Sequence, residues 1–201
     1  MEPSVDPRLV SALREQLRRR PRHASRVGWK VGRGDRERID GELVVGHLTS
    51  ETALEPGDVY TDGTSLHADA EIALELGDEH VITGYGAALE LVDLGSDGDA
   101  EAIVASNIFH RAVAFGPVRR TLPSRTDATL VVNGVVQATA PVAEDFAATL
   151  KRVATVLDGV GERLRPGDRL ITGSVIQVPV SAGDEVVADF GQLGHVRVAI
   201  A

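Results

Sequence analysis

The chain has 201 residues, 43% apolar and 25% charged, which suits one ordinary globular domain with a sizeable core and is too short for two. It has no cysteine, excluding a disulfide framework, a thiolate zinc site and a cysteine nucleophile; no run nears the roughly 20 apolar residues that span a bilayer, and residues 1–20 lack the apolar centre of a secretory signal, so a cytoplasmic address without membrane partners is expected. The net charge of −9 is uneven, with 11 Lys or Arg against 5 Asp or Glu in residues 1–38 and an acidic remainder; that body, with only 3% aromatics, would repel a phosphate backbone, and no nucleic-acid partner is expected.

Residues 7–20 read as a helix, with Leu9, Val10, Leu13 and Leu17 on one side and Asp6 as its cap. Strand-like runs follow over 26–32, 42–48 and 65–76, the last preceded by the turn Glu55-Pro56-Gly57-Asp58. Residues 84–94 read as a short helix or a buried apolar segment, and 102–115 are apolar and fit either helix or strand. Leu130-Val131-Val132-Asn133-Gly134-Val135-Val136 is a hairpin signal, because both central positions of its two-residue turn need positive φ. Residues 143–164 are the expected long helix, with Phe146, Leu150, Val153, Val156, Leu157 and Val160 on its apolar face. Arg165-Pro166-Gly167-Asp168 stops it and opens a strand over 169–172. Further strands are expected over 185–190 and 195–200. Many short strands, one long helix and no βαβ rhythm predict a β-rich α+β fold. The expected organisation is an N-terminal helical arm (1–25) on a mixed-β domain (26–201), one domain overall.

Three segments carry candidate chemistry. In Leu66-His67-Ala68-Asp69-Ala70-Glu71-Ile72-Ala73-Leu74-Glu75-Leu76 every even position is apolar, the period of a strand with one buried face. Its other face sets Asp69 and Glu71 side by side, where the two charges repel unless water or a cation lies between them. Glu90 lies within the apolar run Ala87-Ala88-Leu89-Glu90-Leu91-Val92, and a buried carboxylate must be paired or bound to a metal. Three carboxylates suit Mg²⁺ or Mn²⁺ better than zinc. In Val27-Gly28-Trp29-Lys30-Val31-Gly32, Lys30 shares a face with two glycines, which admit a ligand or another backbone. Only Lys30 and Lys151 are lysines among 21 basic residues, and lysine, unlike arginine, can give up its proton. Leu170-Ile171-Thr172-Gly173-Ser174 ends a buried strand in two hydroxyls around a glycine, able to hydrogen-bond a carboxylate.

In this order the segments resemble the fumarylacetoacetate hydrolase superfamily, and within it the 2-keto-4-pentenoate hydratase / 4-oxalocrotonate decarboxylase branch. The resemblance covers most of residues 26–201 and extends through Ala105-Ser106-Asn107, Phe115-Gly116, Asn133-Gly134, Leu164-Arg165-Pro166-Gly167-Asp168, Ala182-Gly183-Asp184 and Leu193-Gly194. It implies a mixed β-sheet roll in a homo-oligomer. It also implies Asp69, Glu71 and Glu90 as ligands of Mg²⁺ (or Mn²⁺), Lys30 as catalytic proton shuttle, and Thr172, Gly173 and Ser174 at the carboxylate of a small 2-oxo acid. The implied reaction is hydration of a 2-hydroxy-2,4-dienoate or 2-oxo-enoate through a metal-bound enolate. Decarboxylation of a 2-oxo-3-enedioate and C–C hydrolysis of an acylpyruvate are alternatives on the same site, and a catalytically silent partner subunit is another. This chain departs from the family in having Asp69 where a glutamate is usual, Ser106 where an acidic residue is usual, and a shortened N-terminal portion.

Overall fold

The computed structural model describes residues 6–33, 43–55, 57–63, 65–95 and 98–201. In chain order the elements are α1 (Pro7–Arg19), β1 (Arg26–Arg33), β2 (Leu43–Thr49), β3 (Ala53–Leu54), β4 (Val59–Tyr60), β5 (Leu66–Leu76), β6 (Ile82–Asp93), α2 (Ala100–Ala105) and β7 (His110–Phe115). They continue as β8 (Asp127–Val132), β9 (Val135–Pro141), α3 (Phe146–Asp158), β10 (Arg169–Ile171), β11 (Ile176–Pro179), β12 (Glu185–Asp189) and β13 (His195–Ile200). Glu42 of the expected second strand and Pro56 of the expected turn lie outside the described residues. Among those residues no helix is long and apolar enough to cross a membrane.

The first sheet runs β2-β1-β10-β5-β6-β7-β3, with β11 also paired to β5; the second runs β4-β13-β12-β8-β9. The architecture is β-rich α+β, with curled mixed sheets. The alternation of β5 explains how the sheets stack. Leu66, Ala68, Ala70, Ile72 and Leu74 project from one face into the large core shared with Val186, Ala188, Val196 and Val198 of the second sheet. From the other face Ala73 joins Leu48, Ala88, Val113 and Ile171 in a smaller apolar cluster, against which Val27 and Phe115 pack. Expectation and structure differ here: β5 is buried on both faces, because the second sheet covers one and the curl of its own sheet encloses the other.

Of the two alternatives for residues 84–94 the buried apolar segment holds: 84–93 are strand, not helix, and Leu94 begins a turn. A strand buried on both faces shows a continuous apolar run instead of alternation, so periodicity could not separate the two. The stretch 102–115 divides into a short helix and a strand. The helix expected over 143–164 is only 13 residues, the same length as α1, so it is not the one long helix. It starts where the Asp145 side chain accepts from Ala148 N at 3.0 Å. The hairpin is as expected: Asn133 and Gly134, at φ 51° and 77°, join β8 to β9.

β1 and β10 pair in parallel with Gly28 opposite Arg169. A Cβ on Gly28 would stand 1.8 Å from the Arg169 carbonyl oxygen, so this glycine sets how closely the two strands approach. Gly28→Ala is expected to cost about 1–3 kcal/mol, the range for overpacking a tight site. A urea midpoint equal to wild type would contradict that.

Candidate metal centre

Antiparallel pairing of β5 with β6 sets Asp69 opposite Glu90 and Glu71 opposite Ala88. Like charges directly across a ladder destabilise it, and here a third carboxylate shares the face. One oxygen from each of Asp69, Glu71 and Glu90 lies within 4.8 Å of the others, and the residues are only 5%, 1% and 1% exposed. Asp69 Oδ1 is buried with no hydrogen-bond partner.

Lys30 reaches this cluster because the sheet is rolled. Three strand spacings separate β1 from β6, about 14 Å in a flat sheet, yet Lys30 Nζ lies 2.5 Å from Glu90 Oε1. The amine also donates to the Ile108 carbonyl at 3.0 Å. Its two flanking glycines admit protein instead of ligand. The Arg169 backbone fills the space at Gly28, and the Ile108 side chain would lie 2.9 Å from a Cβ on Gly32. Glu90 Oε1 has a second neighbour, His110 Nδ1 at 2.6 Å, whose Nε2 lies 2.9 Å from Thr52 Oγ1. Both His110 nitrogens are therefore engaged, and the donors facing the cluster are carboxylate oxygens.

The Thr172–Ser174 segment is at the cluster, but its groups are divided. Gly173 N–H donates to Glu71 Oε2 at 2.8 Å and the Thr172 hydroxyl to the Ile72 carbonyl at 3.3 Å, while Ser174 is exposed. His110 and Asn107 were not anticipated as functional neighbours; Phe109-His110-Arg111, opening an apolar strand, is the only local signal for the histidine. Asn107, Ile108 and Phe109 have φ of 66°, 53° and 62°. This left-handed region costs L-residues roughly 1–2 kcal/mol each and is least suited to a β-branched side chain such as Ile108.

Burial and the neighbouring Glu90 raise Asp69 to about 7, against the opposing pull of the Gln177 hydrogen bond and Lys30. Burial, then Glu90 and Asp69, push Glu71 well above the carboxylate range. Burial also opposes charge on Glu90, but Lys30 and His110 together hold its carboxyl below the usual range. Burial holds His110 low despite Glu90. Burial and mutual repulsion thus favour the protonated forms of Asp69 and Glu71, while Lys30 and His110 favour the charged form of Glu90. Hard, anionic, mutually repelling oxygens, one of them orphaned, fit Mg²⁺ or Mn²⁺.

No family model matches the chain, and no curated protein does. Solved structures do. The 4-oxalocrotonate decarboxylase from Pseudomonas putida G7, complexed with magnesium and adipate, superposes with a TM-score of 0.85 at 19% identity, covering 96% of this chain and 86% of that one. A fumarylacetoacetate hydrolase family protein from Yersinia pestis CO92 gives a TM-score of 0.61 at 17% identity, covering 88% and 93%. The fold is that of the fumarylacetoacetate hydrolase superfamily. The 2-hydroxyhepta-2,4-diene-1,7-dioate isomerase from Mycobacterium marinum shares this superfamily fold, with a TM-score of 0.63 at 17% identity, covering 89% and 75%. Proteins of this fold thus carry decarboxylase and isomerase names, and the decarboxylase also occurs complexed with calcium and acetate.

Proposed function

We propose that the chain is a divalent-metal-dependent lyase of the fumarylacetoacetate hydrolase superfamily, hydrating 2-hydroxy-2,4-dienoate or 2-oxo-enoate substrates. The observation that carries this reading is the convergence of three buried carboxylates, one with an orphaned oxygen, beside a buried lysine. Asp69, Glu71 and Glu90 would hold the cation. When bound, it supplies Lewis-acid polarisation of a 2-oxo acid's carbonyl and carboxylate oxygens. Lys30 Nζ carries protons: the 2-hydroxyl gives one up as C5 gains one, leaving the 2-oxo-3-enoate, and C3 then gains a proton as the OH of water adds at C4. Glu90 and the Ile108 carbonyl hold that amine in place, and His110 holds Glu90. Ser174, an exposed residue next to Gly173, binds the substrate carboxylate. The apolar floor of Leu48, Ala73, Ala88, Val113 and Ile171 keeps bulk water from the reacting carbons. The same site supports decarboxylation of a 2-oxo-3-enedioate, a second reading favoured by the TM-score of 0.85 to a decarboxylase bound to a dicarboxylate.

The test is an ultraviolet assay with Mg²⁺ over 2-hydroxydienoates, 2-oxo-3-enedioates and acylpyruvates. Dienoate hydration supports the first reading and CO₂ release from the enedioate the second. No turnover of any substrate with a cation demonstrably bound would leave a silent partner subunit. Binding itself has a pH signature. Asp69 and Glu71 have raised folded-state pKa values, so they stabilise the metal-free protein in acid, and that contribution disappears as pH climbs through about 7 for Asp69. A cation must displace those protons, so the gain in Tm from Mg²⁺ is expected to grow from pH 5.5 to pH 8 and to vanish in Glu71→Ala. At about a hundred times Kd the gain corresponds to about 2.7 kcal/mol. A Tm indifferent to Mg²⁺ at pH 8 would remove the metal from the site.

A further inference from the structure

The left-handed turn at 107–109 has an unassigned consequence at the edge of the roll. β2 is an edge strand, so the backbone of His47 on its open side has no ladder partner. The Asn107 side-chain amide supplies one, with Oδ1 accepting from His47 N–H at 2.9 Å and Nδ2 donating to the His47 carbonyl at 3.0 Å. One amide thus imitates a strand residue and ties the start of β7 to β2. The turn directs the Ile108 carbonyl at Lys30 Nζ, 3.0 Å away. Two glycines clear its path. A Cβ on Gly46 would lie 2.7 Å from Asn107 Oδ1 and 2.6 Å from Lys30 Cγ, and one on Gly32 would lie 2.9 Å from Ile108 Cγ2. Asparagine tolerates the left-handed conformation better than most residues, so one side chain meets both demands.

We propose that Asn107 is a positioning residue: by pinning the left-handed turn to the edge of β2 it fixes the Ile108 carbonyl and, through it, the Lys30 amine over the carboxylate cluster. The catalytic consequence rests on the proposed function; the structural one does not.

The chain's two lysines make the test direct. Lysine-selective ¹³C,¹⁵N labelling gives two side-chain signals, assigned with Lys151→Arg. In the wild type Lys30 is expected to show two resolved Hε resonances and strong protection from acetylation by an N-hydroxysuccinimide ester, with Lys151 reacting freely. Asn107→Gly, which keeps backbone freedom but lacks the amide, is expected to merge those resonances and lower the protection about tenfold or more by local opening. Asn107→Asp keeps the acceptor and loses the donor, and is expected to fall between; if Asn107→Gly does not fold, this isosteric variant alone decides the question. Folded variants with wild-type Lys30 signals and protection would overturn the proposal. In a turning-over enzyme Asn107→Gly is expected to lower kcat about a hundredfold with KM nearly unchanged, the cost of a misplaced group. A raised KM at unchanged kcat would count against it. If the wild type has no turnover but its variants release Lys30, the positioning role stands and the functional reading falls.

Discussion

Lys30→Met is expected to lower turnover by about 10²–10⁴-fold, the usual worth of a positioned proton donor or acceptor, while the protein still binds Mg²⁺. The two observables separate because Lys30 does different things in the presence and absence of the cation. Lys30 is 3% exposed, with its amine 2.5 Å from Glu90 Oε1, so the methionine stem fills the volume but leaves the buried carboxylate to His110. Removing one member of a buried pair costs about 3–5 kcal/mol, and the metal-free variant should show that loss in its urea midpoint. An added divalent ion supplies the missing positive charge, so Mg²⁺ should raise the variant's Tm more than the wild type's. Turnover within a few-fold of wild type would take Lys30 out of the chemistry. Equal Mg²⁺ stabilisation in both proteins would deny that lysine and metal neutralise the same carboxylate.

The second large effect lies away from the centre. Asp168→Ala is expected to destabilise the protein by about 3–5 kcal/mol, because it removes the buried carboxylate that holds the partly buried Arg26, Trp29 and the Arg165 backbone together. Asp168 is 5% exposed. Its Oδ1 accepts from Arg26 Nε at 2.9 Å and its Oδ2 from Trp29 Nε1 at 3.3 Å and Arg165 N–H at 2.8 Å, with Arg26 Nη2 also on Oδ2. The Arg26 guanidinium stacks over the Trp29 ring at 4.8 Å and reaches Glu162 Oε2 at 3.2 Å. One carboxylate therefore joins β1 to the turn before β10, the two strands carrying Lys30 and Ile171. A domain of this size loses about 2–4 °C of Tm per kcal/mol, so a drop near 10 °C is expected. A change below about 1 kcal/mol would mean that Glu162 takes over Arg26.

How far the residues announced this arrangement varied with burial. The alternation of β5 put Asp69, Glu71 and Ala73 on one face, and the structure keeps them there. It could not reveal that Glu90 stands directly across from Asp69, because β6 lies inside the protein on both sides and its apolar run carries no period. The turn chemistry was plain at Asn133-Gly134 and around Asp168, where local backbone demands select residue types. The Asn107 staple was invisible for the opposite reason: its partner, His47, is 60 positions earlier, and nothing short-range marks an asparagine that completes a distant strand edge. Lys30 stood out as one of two lysines, yet the glycines beside it served neighbouring protein segments and left no room for a ligand.

The two-sidedness of β5 constrains how this lineage can change length. Inserting or deleting one residue between Leu66 and Leu76 would rotate every later side chain by half a turn, sending leucines toward Glu90 and Lys30 and carboxylates into the apolar layer between the sheets. Paired insertions would preserve the sidedness. Descendants and ancestors of this strand are therefore expected to differ in steps of two, and a frame of odd parity would lose shape and chemistry in the same event.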